Sequence, residues 1–205
     1  MEGISAAVIL LFVFAMFSGI RGNIPEGGYS SQKNYTQSSQ ISVNIPTDFS
    51  SSADPQAQDT IYRYIKTRAK KISVDDMSLI SESVMKYSQQ YNINPKLVTA
   101  MIDRESGFDP ASVSSSNAQG LAQLLPSTAV HIGINDPFSI DEGTKGAALY
   151  LKMMLDKWVG YPNQVPLALA SYAEGPNQVA RAGGNYSEKT AQYVNDIIQN
   201  YNSIN

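Results

Sequence analysis

From residue 55 onward, apolar residues recur at three- and four-residue steps, which is the spacing of one buried helix face. The first clear stretch opens with Ser73 and has an acid, Asp76, three residues later, a pattern typical of a helix capping box. The apolar positions that follow it are Met77, Ile80, Val84, Tyr87 and Tyr91. After a break at 92–94, Pro95 predicts the first residue of the next helix.

This next helix carries an acid in line with its apolar face. Its buried stripe is predicted to consist of Leu97, Val98, Met101 and Ile102. Glu105 lies three residues beyond Ile102 and four beyond Met101, so it continues the same inward-facing stripe. Gly107 and Pro110 break the helix just after it. An acid on a core face needs a reason. A carboxylate at the edge of a cleft is one, since partial desolvation there holds its proton near neutral pH.

The rest of the chain follows the same helical pattern. Further helices are predicted at 60–71, 126–132, 141–159, 167–173 and 190–201, with a short apolar segment at 118–125. Gly133 and the pair Gly175-Pro176 are predicted to end two of them. No run of residues alternates as a strand does. The expected fold class is therefore mostly α, a domain of many short helices.

The first 54 residues differ from this domain. Ile4 to Ile20 is uncharged and apolar, over about the length that barely spans a hydrocarbon core. We predict a retained membrane anchor at 1–21; a cleaved secretory signal is the second interpretation, although no Lys or Arg precedes the apolar run, and a buried core helix is the third. Residues 22–54 are rich in Ser, Gln, Asn and Gly and predict a flexible linker, followed by the folded domain at 55–205.

Composition excludes several kinds of site. The chain of 205 residues has a net charge of -3, so it offers no general attraction for nucleic acid. It contains no cysteine, which removes disulfides, thiolate metal sites and Cys nucleophiles. His131 is the only histidine, so a multi-His metal site is impossible and any Ser-His-Asp triad would need that residue. We expect no cofactor and no metal. A local basic cluster is interpreted as a solvated face; it comprises Arg63, Lys66, Arg68, Lys70 and Lys71.

Four motifs follow one another between residues 73 and 201. They are Arg104-Glu105-Ser106 with Phe108-Asp109-Pro110; Ser114 with Gln119-Gly120-Leu121-Ala122-Gln123 and Pro126-Ser127-Thr128-Ala129; the segment from Leu167 through Tyr172 to Pro176; and Thr190 to Val194, with Tyr193. In order and spacing, these motifs resemble those of the lytic transglycosylases, the goose-lysozyme-like family. The resemblance implies a lysozyme-like domain.

The chain departs from the family pattern at several positions. Ala122 stands where the family has Met, and Asn117 where it has Gly. Ala173-Glu174 replaces Asn-Ala, which adds an acid, and Lys189 replaces Glu. These departures affect expected substrate contacts more than the chemistry, because the motif glutamate, the two glutamines and Tyr172 remain.

The resemblance implies cleavage of the β-1,4 bond between N-acetylmuramic acid and N-acetylglucosamine in peptidoglycan. Glu105 would first protonate the glycosidic oxygen and then, as a carboxylate, take a proton from the 6-hydroxyl that attacks C1. The product is a 1,6-anhydro ring, and no water is consumed. One carboxylate thus serves in both steps, unlike the pair of carboxylates that most glycosidases use.

Further roles carry over with the motifs. Ser106, Ser114, Gln119, Gln123 and Tyr172 are the expected substrate-binding residues, with Tyr172 positioning Glu105 or stacking near the scissile bond. Ser106 fits a helix-end hydroxyl equally well. Tyr193 is interpreted as a core residue rather than a catalytic one.

Two alternatives stay open. Glu174, which is not part of the family motif, would make the enzyme a hydrolytic muramidase if it lay across the cleft and activated water. A second alternative is an inactive wall-binding module of an envelope-spanning or virion assembly, against which the intact Glu105 argues.

The expected location combines the anchor with the wall-directed domain. We expect a membrane-anchored or virion-membrane protein whose domain faces the cell wall, or a secreted one if the first segment is cleaved. Arg21 favours a cytoplasmic position for that end of the anchor, which conflicts with this arrangement. Peptidoglycan strands, the membrane through Ile4–Ile20 and components of such an assembly are the expected partners.

Overall fold

Helices form most of the regular structure in the computed structural model, which describes residues 35–36, 44–49 and 56–205. Within these ranges the helices are α1 (Ala57–Arg68), α2 (Val74–Tyr91), α3 (Pro95–Ser106), α4 (Pro126–His131), α5 (Ile140–Lys157), α6 (Gln164–Glu174), α7 (Pro176–Arg181) and α8 (Glu188–Ser203). The prediction of a mostly α domain with many short helices is confirmed.

Within the described ranges, one small strand pair accompanies the helices. Strand β1 (Tyr35–Thr36) pairs antiparallel with β2 (Tyr186–Ser187), so that Tyr35 lies opposite Ser187. Strand β2 leads directly into α8. The partner of β2 therefore comes from the segment that the sequence predicts to be a linker.

Local sequence sets the helix starts as predicted. The Ser73 hydroxyl accepts a hydrogen bond from the Asp76 backbone N–H at 3.0 Å, and the Asp76 carboxylate accepts one from the Ser73 N–H at 3.3 Å. Helix α3 begins with Pro95, and the side chain of Asn94 accepts a bond from the Lys96 N–H at 2.9 Å. Both caps satisfy backbone donors that a helix start leaves without a partner.

Helix α7 was not predicted from the sequence. We interpreted Gly175-Pro176 as a stop, and α6 does end there, but Pro176 is also the first residue of α7. Proline fits the first position of a helix because its missing N–H has no helical acceptor there. One Gly-Pro pair therefore ends one helix and begins the next.

Helix α3 forms the centre of the core. The four residues of its predicted stripe, Leu97, Val98, Met101 and Ile102, are fully buried. It packs chiefly against α8, while α2 packs chiefly against α5. The end of α3 is therefore held by neighbouring helices.

Part of the predicted linker lies on this domain. Ile45 is 6% exposed, and the backbone N–H of Asn94 donates to the Thr47 carbonyl at 2.9 Å. The Asn94 side chain donates to the Pro46 carbonyl, also at 2.9 Å. Residues 44–49 therefore contact the start of α3. The predicted anchor Ile4–Ile20 lies outside the described residues, and within the described part no helix is both long and apolar enough to span a bilayer.

Gly120 marks a close approach between two loops. Its φ is +70°, and a Cβ built there would lie 1.8 Å from the Pro137 carbonyl oxygen. No L side chain fits this position without moving one backbone segment away from the other. Gly133 has a similar φ of +73° but nothing within 4 Å of such a Cβ.

This pair of glycines yields a stability prediction. Gly133→Ala should lower the free energy of unfolding by about 1 kcal/mol, since only the left-handed backbone conformation is penalised. Gly120→Ala should lose at least about 2 kcal/mol more, because the steric clash adds to the same penalty. Urea unfolding followed by circular dichroism measures both. Equal losses for the two variants would contradict the close approach.

Candidate active site

Glu105 lies in the last turn of α3, where the buried stripe meets the surface. Gly107 ends the helix with φ +59°, and its N–H donates to the Asp103 carbonyl at 2.9 Å. Glu105 keeps part of its surface in solvent, whereas Met101 and Ile102 behind it keep none. The end of α3 therefore places Glu105 at the boundary between the core and solvent, and its position at the edge of a cleft stays a prediction.

Tyr193, from α8, contacts this carboxylate directly. Its hydroxyl donates a hydrogen bond to Glu105 Oε1 at 2.5 Å, while the residue as a whole is only 8% exposed. Our interpretation of Tyr193 as a core residue was incomplete: the ring packs in the core and the hydroxyl belongs to the site. Spacing within α8 predicts the burial of the ring, but only the packing of α8 against α3 brings the hydroxyl to Glu105.

The environment of Glu105 shifts its proton affinity towards neutrality. Burial raises the pKa of Glu105 to about 7, against opposing effects of the Tyr193 hydrogen bond and the Arg104 charge. A group with a pKa near the ambient pH is suited to both giving and taking a proton. One carboxyl group at this position can thus serve as acid and as base.

Tyr172, from α6, packs on the same side of the domain. Its hydroxyl donates to the Ala122 carbonyl at 2.8 Å rather than to Glu105. Its ring lies edge-on to Tyr150, with centroids 4.9 Å apart. Burial, followed by the negative charge of Glu105, raises the pKa of Tyr172 well above its usual range. The residue therefore lies within electrostatic reach of Glu105 and joins α6 to the loop at 118–125.

Ser106 joins the end of α3 to the same loop. Its hydroxyl lies 3.2 Å from the Ile102 carbonyl and 3.0 Å from the Leu121 carbonyl. A hydroxyl has one proton, so it donates to one of these carbonyls at a time. The contact with the Ile102 carbonyl is that of a hydroxyl at a helix end, as the sequence suggested. The contact with the Leu121 carbonyl connects this helix end to the loop at 118–125.

The Gln123 side chain connects two backbone carbonyls at this loop. Its φ is +45°, and its Nε2 donates to the carbonyls of Ser112 and Gly120 at 3.1 and 3.0 Å. An amide nitrogen has two protons, and both are used here. The Gln123 Oε1 atom is the part of the side chain that these bonds leave for other contacts.

Two further predicted binding residues also shape this loop. The Ser114 hydroxyl accepts a bond from the Ala118 N–H at 3.0 Å. Gln119 pairs through its backbone with Leu124, with N–H to carbonyl distances of 2.9 and 3.2 Å. The structure therefore shows a structural contribution of both residues, and their binding roles stay predictions.

Glu174 is held by four hydrogen bonds at the junction of α6 and α8. Its Oε1 accepts from the Ser187 N–H at 3.0 Å, the Ser187 hydroxyl at 2.7 Å and the Thr190 hydroxyl at 2.5 Å, and its Oε2 accepts from Gln178 at 3.0 Å. Burial acts to raise the pKa of Glu174, but the bonds from Thr190 and Ser187 outweigh it and lower the pKa. A carboxylate so stabilised is a poor base, so the muramidase alternative is not favoured.

His131 is exposed on α4. Among the residues that the structure describes, no three His, Asp or Glu side chains are grouped so as to hold a metal ion.

Comparison with known proteins connects this geometry to a family. The model of the transglycosylase SLT domain matches residues 82–195. A transglycosylase of Enterobacteria phage PRD1 is 32% identical over 60% of this chain and 43% of its own length. The membrane-bound lytic murein transglycosylase F of Serratia proteamaculans is 30% identical over 56% of this chain and 24% of its own length. The chain thus spans less than half of these relatives.

Solved structures share the fold. An inactive mutant of lytic transglycosylase Slt from Pseudomonas aeruginosa superposes with a TM-score of 0.51 and 20% identity, over 58% of this chain and 23% of that one. The 70 kDa soluble lytic transglycosylase of Escherichia coli gives a TM-score of 0.52 and 16% identity, over 70% of this chain and 29% of that one. At this identity the likeness extends to the fold alone.

The hydrogen bond from Tyr193 yields a prediction on the proton affinity of Glu105. The bond stabilises the carboxylate, so Tyr193→Phe should raise the pKa of Glu105 above about 7. A titration of the Glu105 carboxyl carbon by NMR measures this shift. Tyr172→Phe is the matched control, because its hydroxyl bonds to Ala122 and its removal should leave the pKa close to the wild-type value. An unchanged pKa in Tyr193→Phe would refute the contact.

The bonds to Glu174 yield a pH-dependent stability prediction. Because its folded pKa is lowered, Glu174 contributes stability above its unfolded pKa, and this contribution is lost as pH falls through the folded pKa. Glu174→Gln should cost about 1 kcal/mol at pH 7, after discounting for solvent screening, and progressively less below about pH 4. Urea unfolding at several pH values checks this. Glu82→Gln, at an exposed site on α2, serves as the control; a loss independent of pH would contradict the assignment.

Proposed function

This chain belongs to the transglycosylase SLT domain family, and on that premise we propose that it cleaves the glycan strands of peptidoglycan. The bond is the β-1,4 linkage between N-acetylmuramic acid and N-acetylglucosamine. The reaction class is that of a lytic transglycosylase, in which the muramic acid residue ends as a 1,6-anhydro sugar. The activity of the whole protein is a proposal because the chain spans only part of its relatives.

The observation that carries the proposal is the position of Glu105 at the end of α3, where burial raises the pKa of its carboxyl group to about 7. In the first step it donates its proton to the glycosidic oxygen as the C1–O4 bond breaks. In the second step the Glu105 carboxylate takes the proton of the 6-hydroxyl, whose oxygen forms the new bond to C1. Both steps are proton transfers in opposite directions, so a pKa near neutrality serves each of them.

Neighbouring residues assist these two steps. The Tyr193 hydroxyl stabilises the Glu105 carboxylate that the first step leaves behind. Tyr172 and Ser106 join α6, α3 and the loop around Gln123, and so keep the walls of the cleft together. Oε1 of Gln123 accepts from sugar hydroxyl or acetamido groups in this proposal.

Gln119 and Ser114 are proposed as further contacts to the glycan strand, at the open side of the same loop. Their part in forming the loop is compatible with binding, because a preorganised loop loses little entropy when the ligand arrives. The four hydrogen bonds to Glu174 support a one-carboxylate mechanism, since they occupy the alternative base.

Location and partners extend the proposal. We propose that residues 4–20 attach the protein to a membrane and that the domain faces the cell wall. Two relatives agree in kind: one is a membrane-bound transglycosylase and one comes from a phage. A domain that opens the wall locally for an envelope or virion assembly fits this arrangement.

Substitution of the proposed acid tests the function. Glu105→Gln should lower kcat by roughly 100- to 10,000-fold, because it removes the group that donates and accepts the proton. Release of soluble fragments from purified peptidoglycan measures the rate, and mass spectrometry identifies their ends. Glu82→Gln should keep the wild-type rate.

The products separate the alternatives. Wild-type digests should contain 1,6-anhydro ends. Reducing ends in their place would overturn the transglycosylase proposal and favour a hydrolase. Undiminished lysis by Glu105→Gln would overturn the assignment of the acid.

A further inference from the structure

Arg104, the residue before Glu105, contacts the ring of Tyr193. The guanidinium carbon of Arg104 lies 5.2 Å from the centroid of the Tyr193 ring, within cation–π range. Its Nε donates to Asp196 Oδ2 at 2.9 Å. Asp196 is three residues after Tyr193 on α8, so ring and carboxylate share one helix face. Arg104 therefore contacts both the tyrosine ring and the helix that carries it.

Asp196 is itself held in place. Its second oxygen, Oδ1, accepts a bond from the Gln192 side chain at 2.7 Å. With one oxygen on Gln192 and the other on Arg104, the carboxylate presents a fixed acceptor. The planar guanidinium then has one orientation in which it both pairs with Asp196 and covers the Tyr193 ring.

We propose that Arg104 is a positioning residue for this active site, which, anchored on Asp196, lies against the Tyr193 ring and keeps the Tyr193 hydroxyl on Glu105. The proposal rests on the proposed function of Glu105. It adds a residue that acts on the acid through the tyrosine and that touches no substrate. The three side chains form what we call the arginine clamp: Arg104, Tyr193 and Asp196.

The exposure of the arginine clamp indicates that it matters more for the site than for the stability of the fold. The side chains of Arg104 and Asp196 are 41% and 31% exposed. Ion pairs with this exposure contribute little to the stability of a protein, because solvent screens the two charges. The Tyr193 bond, in contrast, ends on a desolvated carboxyl group, where a small tilt of the ring lengthens a charge-assisted bond.

Electrostatics act in the same direction as the geometry. The groups that interact with Glu105 are Tyr193 through its hydrogen bond, Arg104 through its charge, and the Tyr172 hydroxyl at longer range. The bond and the charge both favour the carboxylate and so oppose the effect of burial. Loss of Arg104 should therefore raise the pKa of Glu105, both by removing the charge and by loosening the Tyr193 bond.

A double-mutant cycle in the full chain tests whether Arg104 acts through Tyr193. Arg104→Gln should lower kcat/KM for release of anhydro-ended fragments by roughly tenfold, whereas in the Tyr193→Phe background the same change should cost less than about twofold. If Arg104→Gln lowered kcat/KM by the same factor in the wild-type and Tyr193→Phe backgrounds, the proposal would be overturned. Arg63→Gln removes an exposed arginine that also pairs with an acid, Asp59, and should leave the rate unchanged.

Arg104→Lys separates positioning from charge. Lysine keeps the positive charge but has neither the planar face nor the Nε donor. We expect the kcat/KM of Arg104→Lys to exceed that of Arg104→Gln by less than about threefold. The NMR-measured pKa of Glu105 should stay above the wild-type value. A lysine variant with wild-type rate and pKa would reduce the role of Arg104 to its charge and overturn the clamp.

Failure of the clamp and failure of the function have different signatures. If wild-type protein released no anhydro ends, or Glu105→Gln were fully active, the proposed function would fall. The clamp fails on its own if Glu105→Gln is inactive while Arg104→Gln keeps both the wild-type rate and the wild-type pKa of Glu105.

Discussion

The end of one buried helix sets the proton affinity of the candidate acid. Helix α3 carries a fully buried apolar stripe, and Glu105 extends that stripe by one turn to where the protein meets solvent. A carboxylate loses hydration there and keeps its proton to higher pH, so that its pKa rises to about 7. The core and the candidate acid are thus two parts of one packing arrangement, and a change that shifts α3 also shifts the acid.

Helices from distant parts of the chain converge on this carboxyl group. Helix α8 brings Tyr193 to it, and α6 brings Tyr172 and places Glu174 where it holds the start of α8. Polar groups at the site are mostly bonded to one another or to loop carbonyls. This satisfied network limits the freedom of the loop at 118–125 and fixes its position relative to α3 and α6.

Two acids of the domain have opposite environments, and this difference sets their proton affinities. Burial dominates at Glu105 and raises its pKa, with one strong hydrogen bond from Tyr193 acting against it. At Glu174 hydrogen bonds from Ser187 and Thr190 outweigh burial and lower the pKa. The first group can exchange a proton near neutral pH, while the second stays charged and braces two helices. The spacing and motif of Glu105 single it out in the sequence, but the sequence does not show the hydrogen bonds that hold Glu174.

Sequence by itself determined the helical class, the cap at Ser73, the start of α3 at Pro95, the stripe of α3 and the candidate acid at its end, because these depend on local spacing and on the chemistry of single residues. Only the tertiary structure decided which side chains meet. Glu105 and Tyr193 are 88 residues apart, and periodicity reports that a ring is buried but not which atom its hydroxyl reaches. The packing of α3 against α8 supplies that contact, since it decides which two helix faces share one space.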